Sequence, residues 1–288
     1  MPELPEVETV RRDLDQLLRG RTVLGVVWLD PRMVRGRTDA GAVAGRLTGQ
    51  RTAAVSRRGK FLFWRLQSGD RVMLHLGMSG RLRAGVSPDE PRAPHTHLVV
   101  RLDDGSEMRL SDPRRFGRIE FLPRGSRPAV VLGPEPLSRG FTAARFGAAL
   151  AGRRAPVKAL LLDQRVVAGI GNIYADEALF RARIHPARAA GTLTPDETRR
   201  LHRALRRALR DGLRHRGTTF RSFQDSFGEP GGHAPHLLAY GRSGQPCPRC
   251  RTALETLMVG GRTSHFCPAC QTNARSGKAE VQKTRAAL

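Results

Sequence analysis

Two groups of residues in this sequence have types and spacings that could do chemistry. The first is the opening PELPEVE, residues 2–8. With Met1 removed, Pro2 becomes the terminal residue and its nitrogen a secondary amine. A terminal amine titrates near pH ~8, against ~10.4 for a lysine, so more of it is unprotonated and nucleophilic at neutral pH. Attack of such an amine on an aldehydic sugar carbon gives an iminium ion, an electron sink that promotes elimination. Glu3, next in the chain, could give or take the proton. Without chemistry, the same stretch is simply the start of a helix.

The second group is Cys247-Pro-Arg-Cys250 and Cys267-Pro-Ala-Cys270, separated by 16 residues. Each CxxC turn brings two thiolates onto one face, and two such turns complete a tetrahedron, the spacing of a four-thiolate zinc site. These are the chain's only cysteines and fall within 24 residues, which favours a metal over a disulfide framework. With sulfur at all four positions no vertex is left for water, so the zinc is structural and the chemistry lies elsewhere. Between the pairs, TALETLMVGGRTSHF reads as a hairpin turning at Gly260-Gly261, which sets Arg262 close to its tip.

The charge balance indicates the partner. Lysine and arginine number 50 against 26 acids, a net charge of +24 and a pI of about 11.6, nearly all of it arginine. Charge of that size and sign calls for a polyanion, and arginine's forked donors suit phosphate. A 39% hydrophobic content excludes wholesale disorder, and 288 residues suit two or three modules. No run of 18 apolar residues is present, and the acidic first turn lacks the apolar stretch of a signal peptide. A cytoplasmic protein is expected.

The elements that must position these residues can be read from periodicity. Val7, Val10, Leu14, Leu17 and Leu18 recur at helical spacing, with Pro5 near the first helical position and Gly20 past the end. From Val23 to about Leu122 the pattern becomes short strands, VLGVVWL, TAAVSRRGKFLFWRL, RVMLHLGM, HLVVRLDDGSEMRLS and GRIEFL, with a hairpin signal at Asp104-Gly105. An antiparallel sandwich or barrel carrying one helix is expected. LGPEPLSRG, residues 132–140, reads as a linker.

Helices are expected at about 142–150, 156–164 and 173–181. A longer one follows the capping box Thr194-Pro195-Asp196-Glu197 and carries Leu201, Leu205, Leu209 and Leu213. Residues 153–216 hold 15 Lys and Arg against 6 acids, either a solvated face or a surface that tracks phosphates. The aperiodic, glycine-rich stretch after it, residues 216–246, is of the kind that is functional or mobile. The expected boundaries are a catalytic domain over 1–133, a helical DNA-binding domain over 134–240, a zinc finger over 241–271 and a basic disordered tail over 272–288.

In order from Met1 to about Gln271, the motifs MPELPEVETVRR, RRGKFLF, HLGMSGRL, SDPRRFGRI, GIGNIYADEALF, RGTTFRSF and CPRC…GRTSHFCPACQ closely resemble those of bacterial formamidopyrimidine-DNA glycosylases. The resemblance implies a multidomain α+β fold: an N-terminal helix plus antiparallel β-sandwich, a C-terminal helix-two-turn-helix domain and a β-hairpin zinc finger with one structural Zn2+. It implies excision of oxidised purines from duplex DNA containing oxidised or abasic sites, followed by β,δ-elimination. Pro2 matches the nucleophile, Glu3 the acid/base partner, Glu6 a supporting carboxylate and Lys60 the lysine of β-elimination. Arg262 matches the finger arginine of δ-elimination. His95, Arg114, Arg153, Lys158 and Asn172 match contacts to the DNA backbone or the opposite base, with Lys158 and Arg262 expected to displace counterions. Met78, Arg114 and Phe116 match the side chains that fill the gap left by an extruded nucleotide.

One segment departs from the pattern. GEPGGHAPHLLAYG carries His233-Ala234-Pro235-His236 where an aromatic-Ala-Gln element is expected, in the loop that covers the extruded base in the family. An endonuclease VIII-like glycosylase for oxidised pyrimidines is the nearer alternative, although its opening usually reads PEG rather than PEL. A non-enzymatic zinc protein that holds nucleic acid is the more distant one. A monomer is expected, because all the matched residues lie in one chain.

Overall fold

The computed structural model describes residues 2–36 and 38–273; the expected tail lies outside them from residue 274 onward. The chain divides into two compact units. One takes the chain to Val131 together with Gly212–Ala234, and the other takes Leu132–Asp211 and the chain from Pro235.

In the first unit, helix α1 (Leu4–Leu18) starts where the pattern predicts. Glu3 is its N-cap, Pro5 sits in its first turn, and the Glu6 carboxylate accepts the Glu3 N–H at 2.8 Å. Its inward residues Val7, Val10, Leu14 and Leu18 are all buried, each worth about 1.5–3 kcal/mol of apolar burial. The chain then runs through β1 (Val23–Leu29), β2 (Val34–Arg35), α2 (Ala40–Leu47), β3 (Thr52–Arg58), β4 (Phe61–Leu66), β5 (Arg71–His75), β6 (Arg81–Val86), β7 (Thr96–Leu102), β8 (Glu107–Ser111) and β9 (Arg118–Leu122).

These strands form two open sheets, ordered β1-β7-β8-β6 and β2-β9-β5-β4-β3, and not a closed barrel. Neighbours are antiparallel except for the two-residue β2–β9 ladder, which is parallel. Leu98, Val100 and Leu110 from the first sheet share one core with Leu62, Trp64 and Leu74 from the second and with α1, the arrangement of a sandwich.

In the second unit, α3 (Ala143–Leu150) is capped by Thr142, whose hydroxyl accepts the Arg145 N–H. It is followed by α4 (Val157–Leu162), α5 (Asn172–Ala182) and α6 (Pro195–Arg214). The expected capping box is present at the start of α6: Glu197 accepts the Thr194 N–H at 2.8 Å, and Thr194 Oγ1 accepts the Glu197 N–H at 3.2 Å. Leu201, Leu205 and Leu209 are buried at the predicted spacing. The hairpin β10 (Glu255–Val259) and β11 (Arg262–Phe266) pairs Val259 with Arg262 across Gly260-Gly261, the turn read from the sequence.

The sequence reading places 212–234 with the helical half, whereas this segment packs within the first unit. Its anchors are acids of α1, far away in the chain.

Candidate functional site

Pro2, Glu3 and Glu6 are all buried at the start of α1. One Glu6 oxygen accepts the Glu3 N–H, and the other accepts the Thr218 N–H at 2.7 Å. One carboxylate thus joins the terminus to the stretch 216–219. The approach is close: Gly217 has φ +90°, and a Cβ there would stand 2.9 Å from Glu6 Cγ, so only glycine fits. A second acid of α1, Asp13, takes both carboxylate bonds from Arg216 Nη2, at 2.9 and 2.8 Å, and Asp225 accepts from the same guanidinium at 2.6 Å. The acids of the opening therefore cap the helix and also fix a loop over 200 residues away in the chain.

Lys60 lies in the tight turn between β3 and β4 and is buried. Glu8 of α1 accepts Arg57 Nε at 3.0 Å, and Arg57 Nη1 donates to the Gly59 carbonyl at 2.8 Å, so α1 also fixes the turn that presents Lys60. Burial, then the charges of Lys60 and Arg118, push the His75 imidazole down to about 4. Neutral His75 can therefore accept the Gly77 N–H through Nδ1, at 3.1 Å.

Three loops carrying four of the candidate DNA-contacting residues converge on Asp112, which is fully buried. Its Oδ1 accepts from Ser79 Oγ at 2.5 Å and from the Arg114 N–H at 3.2 Å, and its Oδ2 accepts from the Gly117 N–H at 2.8 Å. The Asp112 N–H itself donates to the carbonyl of His95. Gly77, at φ +61°, lies so close to the Phe116–Gly117 peptide that a Cβ would come within 2.5 Å of it. The backbone just before Met78 is thereby brought against that of Phe116. Phe116 is half exposed, and the Arg114 guanidinium lies 4.6 Å from its ring centroid.

In the second unit, Asn172, Lys158 and Arg262 gather at β11. Asn172, the first residue of α5, donates from Nδ2 to the Thr263 carbonyl at 2.9 Å. Lys158 Nζ donates to that same carbonyl and to Ser264 Oγ, both at 2.8 Å, and lies 2.7 Å from Asp176 Oδ1. Asp176 Oδ2 in turn accepts the His265 N–H at 2.9 Å. Arg262 stands exposed at the start of the strand they hold. Arg153 is exposed in the turn after α3, where its carbonyl accepts the Gly191 N–H.

Lys158, expected as a counterion-displacing phosphate contact, lies inside the protein. Its side chain is 0% exposed and its charge is matched by Asp176, so it braces the hairpin. Lys158→Ala leaves Asp176 uncompensated inside the protein and is expected to cost about 3–5 kcal/mol of stability. Chemical denaturation of the parent and the variant measures this directly.

The four cysteine sulfurs lie within 4.8 Å of one another, with Cys250 3.4 Å from both Cys267 and Cys270 and Cys247 4.0 Å from Cys270. Zn–S bonds of ~2.3 Å place tetrahedral sulfurs about 3.8 Å apart, so the set fits one Zn2+. Burial and the adjoining thiols push Cys270 up to about 12. A dication is what allows four thiolates to share so small a space. Around them, Gln271 accepts the Cys267 N–H and donates to the Ile184 carbonyl, and Arg249 stacks on Phe180 at 4.6 Å while bonding its carbonyl at 2.7 Å. The Glu177 carboxylate collects the N–H groups of Leu238, Ala239 and Tyr240. Buried acids such as Asp112, Asp176 and Glu177 carry no spacing signal, and the only sequence cue to Asp112 is its place before Pro113 in the DPRRFG turn.

The family model described as formamidopyrimidine-DNA glycosylase N-terminal domain matches residues 1–119, that of the formamidopyrimidine-DNA glycosylase H2TH domain residues 132–224, and that of the zinc finger found in FPG and IleRS residues 244–273. The formamidopyrimidine-DNA glycosylase of Symbiobacterium thermophilum is 48% identical over 264 residues, covering 90% of this chain and 85% of that protein. The crystal structure of the MutM (Fpg) protein of Thermus thermophilus superposes with a TM-score of 0.84 at 44% identity, covering 94% of this chain and 98% of the other. A mutant of the Lactococcus lactis Fpg, in complex with a Fapy-dG containing DNA, gives 0.87 at 34% identity, covering 94% and 100%. The N-terminal, H2TH and zinc-finger models match in that order along the chain, and this chain belongs to the formamidopyrimidine-DNA glycosylase family.

Proposed function

We propose that the protein is a bifunctional DNA glycosylase and AP lyase of base excision repair. It removes oxidised purines such as 8-oxoguanine and formamidopyrimidines from duplex DNA and cuts the abasic strand by β,δ-elimination. The observation that carries the chemistry is the buried Pro2-Glu3-Glu6 terminus clasped to Thr218. Once Met1 is removed, the Pro2 nitrogen attacks C1′ and the base departs with the glycosidic electron pair. Glu3 protonates the ring oxygen as the sugar opens, leaving an iminium at C1′. Loss of the C2′ proton then breaks the C3′–O bond, and a second elimination breaks C5′–O. Lys60 serves the first elimination and Arg262 the second.

Zinc fixes the hairpin on which Arg262 stands, and it takes no part in the bond changes. Met78, Arg114 and Phe116 fill the gap in the stack left by the extruded nucleotide, which costs a few kcal/mol to flip out. His95, Arg153 and Asn172 contact the DNA backbone or the opposite base. The reading of purine substrates is supported by the Fapy-dG bound to the Lactococcus lactis relative. Among the described residues no helix is long and apolar enough to cross a membrane, and we place the enzyme in the cytoplasm, on DNA.

Borohydride trapping on an abasic duplex tests the Schiff base, and a cleavage panel with 8-oxoguanine and thymine glycol duplexes tests the base preference. No covalent adduct would refute the lyase; preferential cleavage at thymine glycol would favour the endonuclease VIII-like reading. Within the second unit, Arg262→Ala is expected to flatten the slope of log K against log salt by about 1 and to stop strand cutting at the β-elimination product. Lys158→Ala is expected to leave that slope unchanged, because a buried, paired ammonium releases no counterion. Salt titrations on one abasic-analogue duplex, with a gel that resolves the two products, decide both.

A further inference from the structure

One face of α6 carries a cluster of charge that the proposed chemistry does not use. Arg200, Arg203 and Arg207 are exposed and recur three and four residues apart, which sets them on one side of the helix. With Arg181 near the end of α5, Arg249 between the first two cysteines, and Leu238, they line a single cleft of about 580 Å3. Like charges at that spacing work against a helix, and few acids stand near to offset them. Asp211 lies 3.2 Å from Arg181 Nη2 and 4.0 Å from Arg207 Nε, and Glu177 lies 4.0 Å from Arg181. Arg200 and Arg203 have no bonded or ion-paired partner among the described residues. Arg249 donates to two neutral carbonyls, those of Phe180 and Arg181, at 2.7 and 3.2 Å. Arg181 Nε is buried and meets no acceptor among the described residues. Five guanidinium groups therefore share one cleft, and the neighbouring carboxylates fall to only two of them.

We propose that this cleft binds a compact polyphosphate anion, a chain of three or more linked phosphates. The fork of each guanidinium pairs with phosphate oxygens through two donors at once, and a polyphosphate gathers several negative charges into one small volume. The cavity has the size of a small-ligand site, whereas a duplex carries its phosphates along an extended, convex backbone. Leu238, held by its N–H on Glu177 at 2.9 Å, offers only a small apolar wall, so the phosphate chain supplies most of the binding and an attached nucleoside adds little. The cleft is also distinct from the residues proposed to grip DNA. Arg181 is nine residues beyond Asn172 on α5, about 14 Å along the helix, and none of Arg153, Asn172 and Arg262 lines the cleft.

The test is calorimetric titration of the zinc-loaded full chain with tripolyphosphate, ATP and AMP at fixed ionic strength. An abasic-analogue duplex is bound beforehand, so that the residues gripping DNA are occupied. Tripolyphosphate and ATP are expected to bind once per chain, with affinities within about threefold of each other, and AMP about tenfold more weakly or worse. Changing Arg200, Arg203 and Arg207 together to glutamine keeps good helix formers on α6 and should weaken tripolyphosphate about tenfold or more. Cleavage of an 8-oxoguanine duplex by that variant should stay at the parent rate. A control removes the same charge from Arg92, Arg124 and Arg127, all exposed in the first unit, and should keep tripolyphosphate affinity within about threefold of the parent. Equal losses in the two triple variants would reduce the effect to net charge and overturn the assignment. Hexaglutamate binding as tightly as tripolyphosphate, or no tripolyphosphate binding once the duplex is in place, would overturn it too. If the α6 variant instead flattened the duplex's slope of log K against log salt by about 3, the cleft would belong to DNA and the proposal would end there.

Discussion

One residue retained ahead of Pro2 is expected to abolish borohydride trapping on an abasic duplex and to lower base excision by about three orders of magnitude or more. An added residue turns the Pro2 nitrogen into an amide, whose lone pair is delocalised into the carbonyl and no longer attacks an electrophilic carbon. Removal of an essential nucleophile typically costs losses of this size. Pro2→Gly, which leaves a primary amine in place of the secondary one, should reduce trapping sharply but less completely. Duplex affinity should change by less than about threefold in both, because the phosphate-gripping residues proposed above are untouched. Trapping at the parent level in the extended protein would remove Pro2 from the mechanism and shift attention to Lys60. Glu6 gives a reason why the effect should be local: its carboxylate bonds Glu3 N and Thr218 N, so the frame around the terminus survives a change at residue 2.

Replacing Cys267 by serine is expected to release zinc and to lower duplex affinity about a hundredfold, without touching an amine or carboxylate of the proposed chemistry. Structural zinc supplies on the order of 10–16 kcal/mol to the folding of small four-ligand sites, and a lone two-stranded hairpin is at best marginally stable. Cys267 is buried, follows directly on the last residue of β11, and its N–H is held by Gln271. Loss of the metal therefore loosens the strand that carries Arg262 and frees the Thr263 carbonyl from Lys158 and Asn172. Metal analysis should show the parent near one zinc per chain and the variant near none, and hydrogen exchange should show the β10–β11 amides unprotected. A metal-free variant that bound an abasic duplex as tightly as the parent would end the proposed role of the hairpin in gripping DNA.

Much of this protein could be read from local spacing. The CxxC pairs, the turn at Gly260-Gly261, the capping box at Thr194 and the run of short strands each express a rule that operates within a few residues. The structure returns all of them. The ordered series of motifs fixed the family for the same reason, since each motif is short and its residues are neighbours. Barrel or sandwich was a question of closure, which alternation within strands does not encode, and the sheet order answered it.

The charged residues were another matter. Lys158 was matched to a phosphate contact by the resemblance, yet its partners Asp176, Thr263 and Ser264 lie up to 106 residues away, and only the fold reveals that its charge is matched. Glu6 and Thr218 are 212 residues apart, and His97 of β7 meets Asp30 and Asp112 from separate parts of the chain. The sequence by itself determined most of the elements and the four-cysteine metal site. Which charges face solvent and which brace the loops was decided only by tertiary structure, because burial and pairing depend on what long-range folding brings alongside a side chain, and no local period records that.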